Sequence, residues 1–404
     1  MKVGIITFHF AFNQGAALQC YALQTYLEAQ GHDVYVIDYR PKYHAVMHAA
    51  WRNPFVYSWV FWKKLRSRSA LPRVCLTAKS FAQCMYWNLA GTDRKSQAAF
   101  RAFVRDRLHL TREYRTLRQL QADPPELDAY ISGSDQVWNP DLLGQTFDEA
   151  YFLRFGAEDV RRLTYAVSLG KTHDPATQSA LRALCRGLDA VSLREYDEED
   201  VRATGRDVHI CIDPTLLLDA DDYGALESET AEQTPYIFAY GFETNDMLRR
   251  AVETAVGKHH CRVINGSPKW LRLDGAAENV SGYGPDRFLS LVRHAACVVT
   301  NSFHGTAFSI IYQKDFITVP HSSRARRMEA LLDRLDLSFR LFGRPEFSAE
   351  ETIEYAEVYQ KLDEWKRRSK EYLRLALLGR RGEEIPHYDA ERDCRSAESA
   401  APEA

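Results

Sequence analysis

Apolar and polar positions along the chain fall into repeated passages of strand, tight turn and helix. Val3-Gly4-Ile5-Ile6-Thr7-Phe8 is an apolar, β-branched run that predicts a strand, and Asn13-Gln14-Gly15-Ala16 reads as the turn after it. Over residues 17–30, Leu18, Tyr21, Ala22, Leu23 and Leu27 recur on one helical face. Gly31 stops that helix, and residues 33–38 form the next strand. This βαβ passage predicts half of an open parallel sheet, whose ligands bind beyond the carboxyl ends of the strands, where Asn13 and Gly15 fall. The format returns at 127–140, 162–170 and 190–195, each time ending in small or polar residues. Residues 208–213 predict a last strand leading out of the unit, with Pro214 keeping Asp213 out of helix.

A second, smaller α/β unit follows. Its strands are predicted at 236–240 and 261–264 around a helix at 246–256, and Pro285 and Asp286 mark another helix start. The most abrupt change of pattern is Cys297-Val298-Val299-Thr300-Asn301-Ser302-Phe303-His304-Gly305-Thr306-Ala307-Phe308-Ser309-Ile310-Ile311, where a β-branched strand gives way to a turn and then a helix. A strand at 316–319, a basic helix start at 324–332 and a long helix at 351–378 complete the chain. The expected fold is α/β and GT-B-like, with two Rossmann-like domains facing across a cleft. The predicted boundaries are 1–213, 214–345, a C-terminal helix at 346–381 and a disordered polar tail at 382–404.

Composition narrows the classes. Across 404 residues the chain is 45% hydrophobic and 26% charged, with a net charge of −3, so the overall balance gives no support for a nucleic-acid partner. The eight cysteines form no CxxC pair and most lie in apolar runs, which predicts buried free thiols in a reducing compartment. No histidine spacing suits a metal, and no metal site is expected. The amino terminus runs straight into a strand pattern and no apolar run is long enough to span a bilayer, so the expected location is cytoplasmic. Residues 39–92 contain no acid but carry basic residues interleaved with Trp51, Trp59, Trp62 and Trp87. A helical insertion at about 43–92 that packs its aromatics inward explains this, as does a patch at the inner membrane surface.

His304 is the leading candidate for chemistry, because it stands at a strand end and a helix start. There, orphan backbone N–H groups favour an anion and an imidazole can move a proton. Ser302 and Thr306, beside Gly305, either donate to that anion or cap the helix. Arg194 either points its fork into the cleft or pairs with an acid of the following run, residues 195–200. Arg324 and Arg327 lie on one side of a helix start, as anion ligands or as a solvated face. Ser134 and Asp135 either bind a sugar hydroxyl, with Asp135 as a base, or cap a turn. Asn13, Gln14 and Gly15 are a plain turn or a place where a ligand approaches the backbone.

Together these motifs resemble the polysaccharide pyruvyl transferase family over residues 1–341. The resemblance is carried by Thr7-Phe8-His9 with Asn13-Gln14-Gly15-Ala16-Ala17-Leu18-Gln19, by Gly31-His32-Asp33-Val34 and by Ile37-Asp38-Tyr39-Arg40-Pro41. Ser132-Gly133-Ser134-Asp135-Gln136-Val137-Trp138-Asn139, Ser192-Leu193-Arg194-Glu195, Asp213-Pro214-Thr215-Leu216-Leu217-Leu218 and residues 301–309 complete it. It implies a PEP-dependent transferase, with phosphoenolpyruvate (PEP) as co-substrate and no cofactor. Such an enzyme forms a pyruvate ketal on a sugar of a surface polysaccharide, or on a nucleotide-linked or lipid-linked precursor. Arg194, His304 and Arg324 match the family's arginine, histidine and later basic residue. The first domain would then serve the acceptor and the second the anionic donor. Members carry an arginine two residues before the histidine, where this chain has Ser302. The alternative is a nucleotide-sugar-dependent glycosyltransferase of the same architecture.

Overall fold

The computed structural model describes residues 1–41, 74–78, 81–82, 85, 92–143, 146–170, 174–228, 234–243, 246–267, 273, 275–276, 278–321 and 325–379. Most of the insertion expected at about 43–92, Arg324 and the tail at 382–404 lie outside these residues.

Strands β1 (Lys2–Ile6), β2 (Asp33–Val36), β3 (Ala129–Ser132) and β4 (Arg161–Thr164) form a parallel sheet in the order β2-β1-β3-β4. A parallel pair, β5 (Val191–Leu193) and β6 (Val208–Ile210), extends it through single bridges from Leu163 to Ala190 and from Val167 to Leu193. Helices α1 (Gln14–Ala29), α2 (Thr92–Arg107), α3 (Leu117–Ala122), α4 (Pro175–Cys185) and α5 (Glu198–Thr204) accompany it. The second sheet joins β7 (Tyr236–Tyr240), β8 (Arg262–Asn265), β9 (Glu278–Asn279), β10 (Cys297–Thr300) and β11 (Asp315–Thr318) in the order β11-β10-β7-β8-β9, again all parallel. With it run α6 (Ala220–Gly224), α7 (Asp246–His259), α8 (Pro285–Arg293), α9 (Phe303–Ile311), α10 (Arg326–Arg334) and α11 (Tyr355–Leu378). Residues of β1, β3, β4, β7 and β10 are buried almost throughout, because helices cover both faces of a parallel sheet. The fold is α/β and GT-B-like, as the sequence predicts.

Strand order reverses once in each sheet: between β1 and β3 in the first, and between β7 and β10 in the second. Crevices form at such reversals, outside the carboxyl ends of the strands. Helix α1 starts at the first of these points and α9 at the second, and the two helices contact each other. Nearly the whole circumference of α1 is buried, since it packs on its own sheet and also against α8 and α9 of the second unit.

Helix α11 ties the units together. Tyr359 donates to the Ile311 carbonyl at the end of α9 (2.9 Å), while Tyr372 donates to the Thr164 carbonyl of β4 (2.9 Å). The helix begins at Tyr355, later than its acidic sequence start suggests. Residues 348–351 are held in a turn, where the Glu351 N–H donates to Ser348 Oγ (3.1 Å) and the Glu351 carbonyl accepts from Arg340 Nη2 (2.6 Å). Cys20, Cys185, Cys211 and Cys297 are buried free thiols, as expected, whereas Cys75 is exposed and Cys261 half-buried. Among the described residues no helix is long and apolar enough to cross a membrane.

Candidate active site at the meeting of two helix starts

A cavity of about 270 Å³ lies where the two strand-order reversals meet. Phe8, Ala11, Asn13, Ala16, Asp135, Gln136 and Leu142 line it from the first unit. Phe242, Asn301, Ser302, Phe303, His304, His321, Arg327 and Met328 line it from the second. Asn13 caps α1 by accepting from the Ala16 N–H (3.1 Å), and Ser302 caps α9 by accepting from the Gly305 N–H (3.3 Å). The Thr306 N–H is already spent on the Ser302 carbonyl (3.0 Å). The free N–H groups at the start of α9 are therefore those of Phe303 and His304. Two helix starts, one from each unit, thus lend partial positive charge to one cavity.

His304 occupies the contact between these helices. Its ring lies so close to Gly15 that a Cβ built there would stand 1.8 Å from Nδ1. On its other side Nε2 is 3.7 Å from Asp213 Oδ2, and this buried nitrogen makes no hydrogen bond. Asp213 is fully buried. Its Oδ2 accepts from Arg194 Nη1 (2.7 Å) and Ser134 Oγ (3.1 Å), and its Oδ1 accepts from the Thr215 N–H (3.0 Å) and hydroxyl (2.8 Å). Burial alone would push this carboxyl up, but His304 and Arg194 hold it well below the usual carboxylate range.

Arg194 sits one layer behind the cavity wall. Nε donates to Glu195 (2.8 Å), Nη1 to Asp213, and the guanidinium lies over the Phe303 ring at 4.8 Å, while Nη2 is buried without a hydrogen bond. Burial disfavours its charge, yet Glu195, Asp213 and Asp135 together push it above the ordinary arginine value. Of the two readings of Arg194, the structure shows the pairing with the acidic run, through Glu195; the guanidinium stands over the Phe303 ring and not on the cavity wall. Arg327 does reach the wall, with its guanidinium 5.9 Å over the same Phe303 ring.

Asp135 lines the cavity with φ of 80°, a left-handed backbone costing about 1–3 kcal/mol in a non-glycine residue. Its carbonyl accepts from the Val137 and Ser168 N–H groups (2.8 and 3.0 Å), which hold that conformation in place. Besides Arg194, five of the sequence candidates are placed away from the wall, the first being Gly15 against the His304 ring. Ser134 is buried in the Asp213 network, and the Thr306 hydroxyl pairs with that of Thr318 (2.9 Å) inside the second unit. Gly305 packs its Cα on Thr300, where a Cβ would meet Oγ1 at 2.3 Å, so this glycine serves helix docking. Gln14 is buried, with Oε1 unpartnered.

Other residues of the site carried no individual weight in the sequence. Asp213 looked like a strand exit before a proline. Asn301 bridges the two reversal loops, accepting from the Phe242 N–H (2.8 Å) and donating to the Glu243 carbonyl (2.8 Å). His321 follows β11 and stands 3.9 Å from Glu243. The only hint for these was position just beyond a predicted strand. The His9 motif fixes the loop behind Phe8: His9 Nε2 and Arg40 Nε both face Asp38 Oδ1, at 2.9 and 2.5 Å. Away from the cavity, His259, Cys297 and Asp315 offer atoms within 4.8 Å of one another. Lys258 and Arg340 also stand on Asp315 (2.9 and 2.7 Å), so the carboxylate is already balanced by cations.

A search of curated proteins finds no match to this chain. Among solved structures it is similar to UDP-N-acetylglucosamine 2-epimerase from Rickettsia bellii (13% identity, TM-score 0.46, covering 93% of this chain and 96% of that one). It is also similar to the Streptomyces sp. SF2575 glycosyltransferase SsfS6 complexed with thymidine diphosphate (10% identity, TM-score 0.43, covering 93% and 99%). The family model for polysaccharide pyruvyl transferase matches residues 13–323, which include every wall residue of the cavity except Phe8, Ala11, Arg327 and Met328. The chain belongs to the polysaccharide pyruvyl transferase family.

Proposed function

We propose that the protein transfers the enolpyruvyl group of PEP to a sugar and closes a pyruvate ketal across two of its hydroxyls. The acceptor is a unit of a surface polysaccharide or its nucleotide-linked or lipid-linked precursor. The observation that carries this reading is an imidazole held between two helix starts, with two guanidinium groups over the adjoining Phe303 ring. That arrangement suits a small, multiply anionic donor that must also be protonated.

Arg327 and the N–H groups of Phe303 and His304 bind the phosphate and carboxylate, and Arg194 adds charge from behind Phe303. His304 gives a proton to the methylene carbon, so the central carbon becomes electrophilic and a sugar hydroxyl adds to it. The second hydroxyl displaces phosphate and closes the ring. Of the two hydroxyl protons, one restores His304 and the other leaves with the phosphate, and the reaction as written uses no cofactor. Asp135, Gln136 and Asn13 face the same cavity from the first unit and orient the acceptor.

The test is phosphate release from PEP against a panel of sugar acceptors. His304→Ala should lose about 100- to 10,000-fold in kcat, the usual worth of a positioned proton donor, while keeping its melting temperature within a few degrees. Sugar transfer from a nucleotide sugar, with PEP untouched, would establish the glycosyltransferase reading instead.

A further inference from the structure

We propose that Asp213 is the positioning residue of this site, holding the His304 ring with its Nε2 proton turned toward the carboxylate, so that Nδ1 is the atom that gives and regains the proton. The inference rests on the proposed reaction for its chemistry, but its geometry stands independently. A buried imidazole nitrogen is costly to leave unsatisfied, and Nε2 of His304 makes no hydrogen bond; its ion-pair neighbour is Asp213 Oδ2 at 3.7 Å. A carboxylate can only accept at that position, so the facing nitrogen is the one that carries hydrogen.

Asp213 cannot turn away to find another partner. Both of its oxygens are fixed from behind by Arg194, Ser134 and Thr215, and no part of its side chain meets solvent. The ring cannot tip away either, because Gly15 packs against its face over Nδ1, where a Cβ would stand 1.8 Å from that nitrogen. His304 itself lines the cavity, and Nε2 is the ring nitrogen buried against Asp213, so Nδ1 is the nitrogen left to face the cavity.

In the transfer, the Nδ1–H bond breaks as the methyl C–H bond forms. The first sugar oxygen bonds to the central carbon and its proton returns to Nδ1. The Nε2–H bond stays intact throughout. Asp213 touches no reacting atom and acts through the ring alone. A carboxylate that holds a catalytic imidazole in one tautomer is worth up to about 10,000-fold in kcat.

The experiment combines imidazole nitrogen NMR of the ¹⁵N-histidine-labelled full chain, with the His304 signals assigned by His304→Gln, and steady-state kinetics of Asp213→Asn. In the wild type, neutral His304 should be protonated at Nε2. In Asp213→Asn that tautomer should lose its dominance, and kcat should fall about 100-fold or more with KM for PEP within about threefold of wild type. An Nδ1-protonated ring in the wild type overturns the proposal, as does Asp213→Asn with wild-type kcat or with a change confined to KM. If Asp213→Asn does not fold, the wild-type tautomer decides alone. A wild-type enzyme that releases no phosphate from PEP sinks the reaction, and the tautomer is still read.

Discussion

Replacing Gly15 by alanine isolates the contact between the two helix starts. Gly15 is not among the glycines with positive φ, so nothing in its backbone requires glycine. In the first turn of α1, alanine should even be favoured by up to about 1 kcal/mol in helix propensity. The obstacle is His304. An added Cβ would lie 1.8 Å from Nδ1, 2.2 Å from Cγ and 2.4 Å from Cε1, whereas real Cβ contacts essentially never fall below 3.0 Å. The ring or the helix must therefore give way by at least 1.2 Å. Both are buried, so overpacking costs about 1–3 kcal/mol, and propensity offsets part of it. The net loss of stability is small, but a catalytic group misplaced by about 1 Å typically loses about 100-fold in rate.

Gly15→Ala should therefore retain most of its stability in urea melts and lose at least about 100-fold in phosphate release from PEP. The double variant Gly15→Ala/His304→Ala supplies the control, because removing the ring removes the clash. Its stability should equal or exceed that of Gly15→Ala, a non-additivity expected only of residues in contact. Gly15→Ala with wild-type turnover would refute the reasoning, as would two destabilisations that simply add.

Two further outcomes follow from the pairs around the cavity. Arg326 Nη1 and Nη2 meet Asp197 and Asp200 at 2.6 Å each, joining α10 to α5, and burial raises the Asp200 carboxyl to about 6 despite the arginine. Its folded value lies above the usual 3.8, so its contribution is fully present below about pH 4 and is lost as pH rises through about 6. Measured by urea midpoints, wild type should lose stability relative to Asp200→Asn across that window and run parallel to it above; a rise with pH would contradict the assignment. Arg327→Ala should raise KM for PEP about 10- to 100-fold, the worth of one charge-assisted hydrogen bond, while Arg326→Ala leaves KM near wild type. Equal effects of the two variants would remove Arg327 from the donor site.

The local signals in the chain carried a long way. The run from Val3 to Gly15 and the run from Cys297 to Gly305 each contain a strand, a capping residue and a glycine, and the structure makes each of them a strand end leading into a helix start. Such features depend on neighbours a few residues apart, so periodicity and capping chemistry reveal them. What sequence reading could not supply was which side chains the fold brings into contact. Asp213 is joined to Ser134 and Arg194 over separations of 79 and 19 residues, and nothing at Asp213-Pro214 distinguishes an ion-pair hub from a loop acid. The same limit applies to Gly305 and Gly15. Both look like turn glycines, yet one makes room for Thr300 and the other for the imidazole.

Ser302 brings these strands of reasoning together. The family places an arginine at this position, and the structure shows why serine is compatible with the same helix start: Ser302 Oγ caps α9 through the Gly305 N–H. A side chain engaged in capping brings no charge, so under the proposed reaction the cation must come from another element. Arg327 of α10 meets that need at the cavity wall, over the Phe303 ring that follows the capping serine. Its neighbour Arg326 anchors the same helix to Asp197 and Asp200 of the first unit. Moving the cation from α9 to α10 therefore places donor binding on an element that also joins the two units. Arg327→Ala combined with Ser302→Arg tests this directly: recovery of the PEP KM in the double variant would show that the two positions serve one anion.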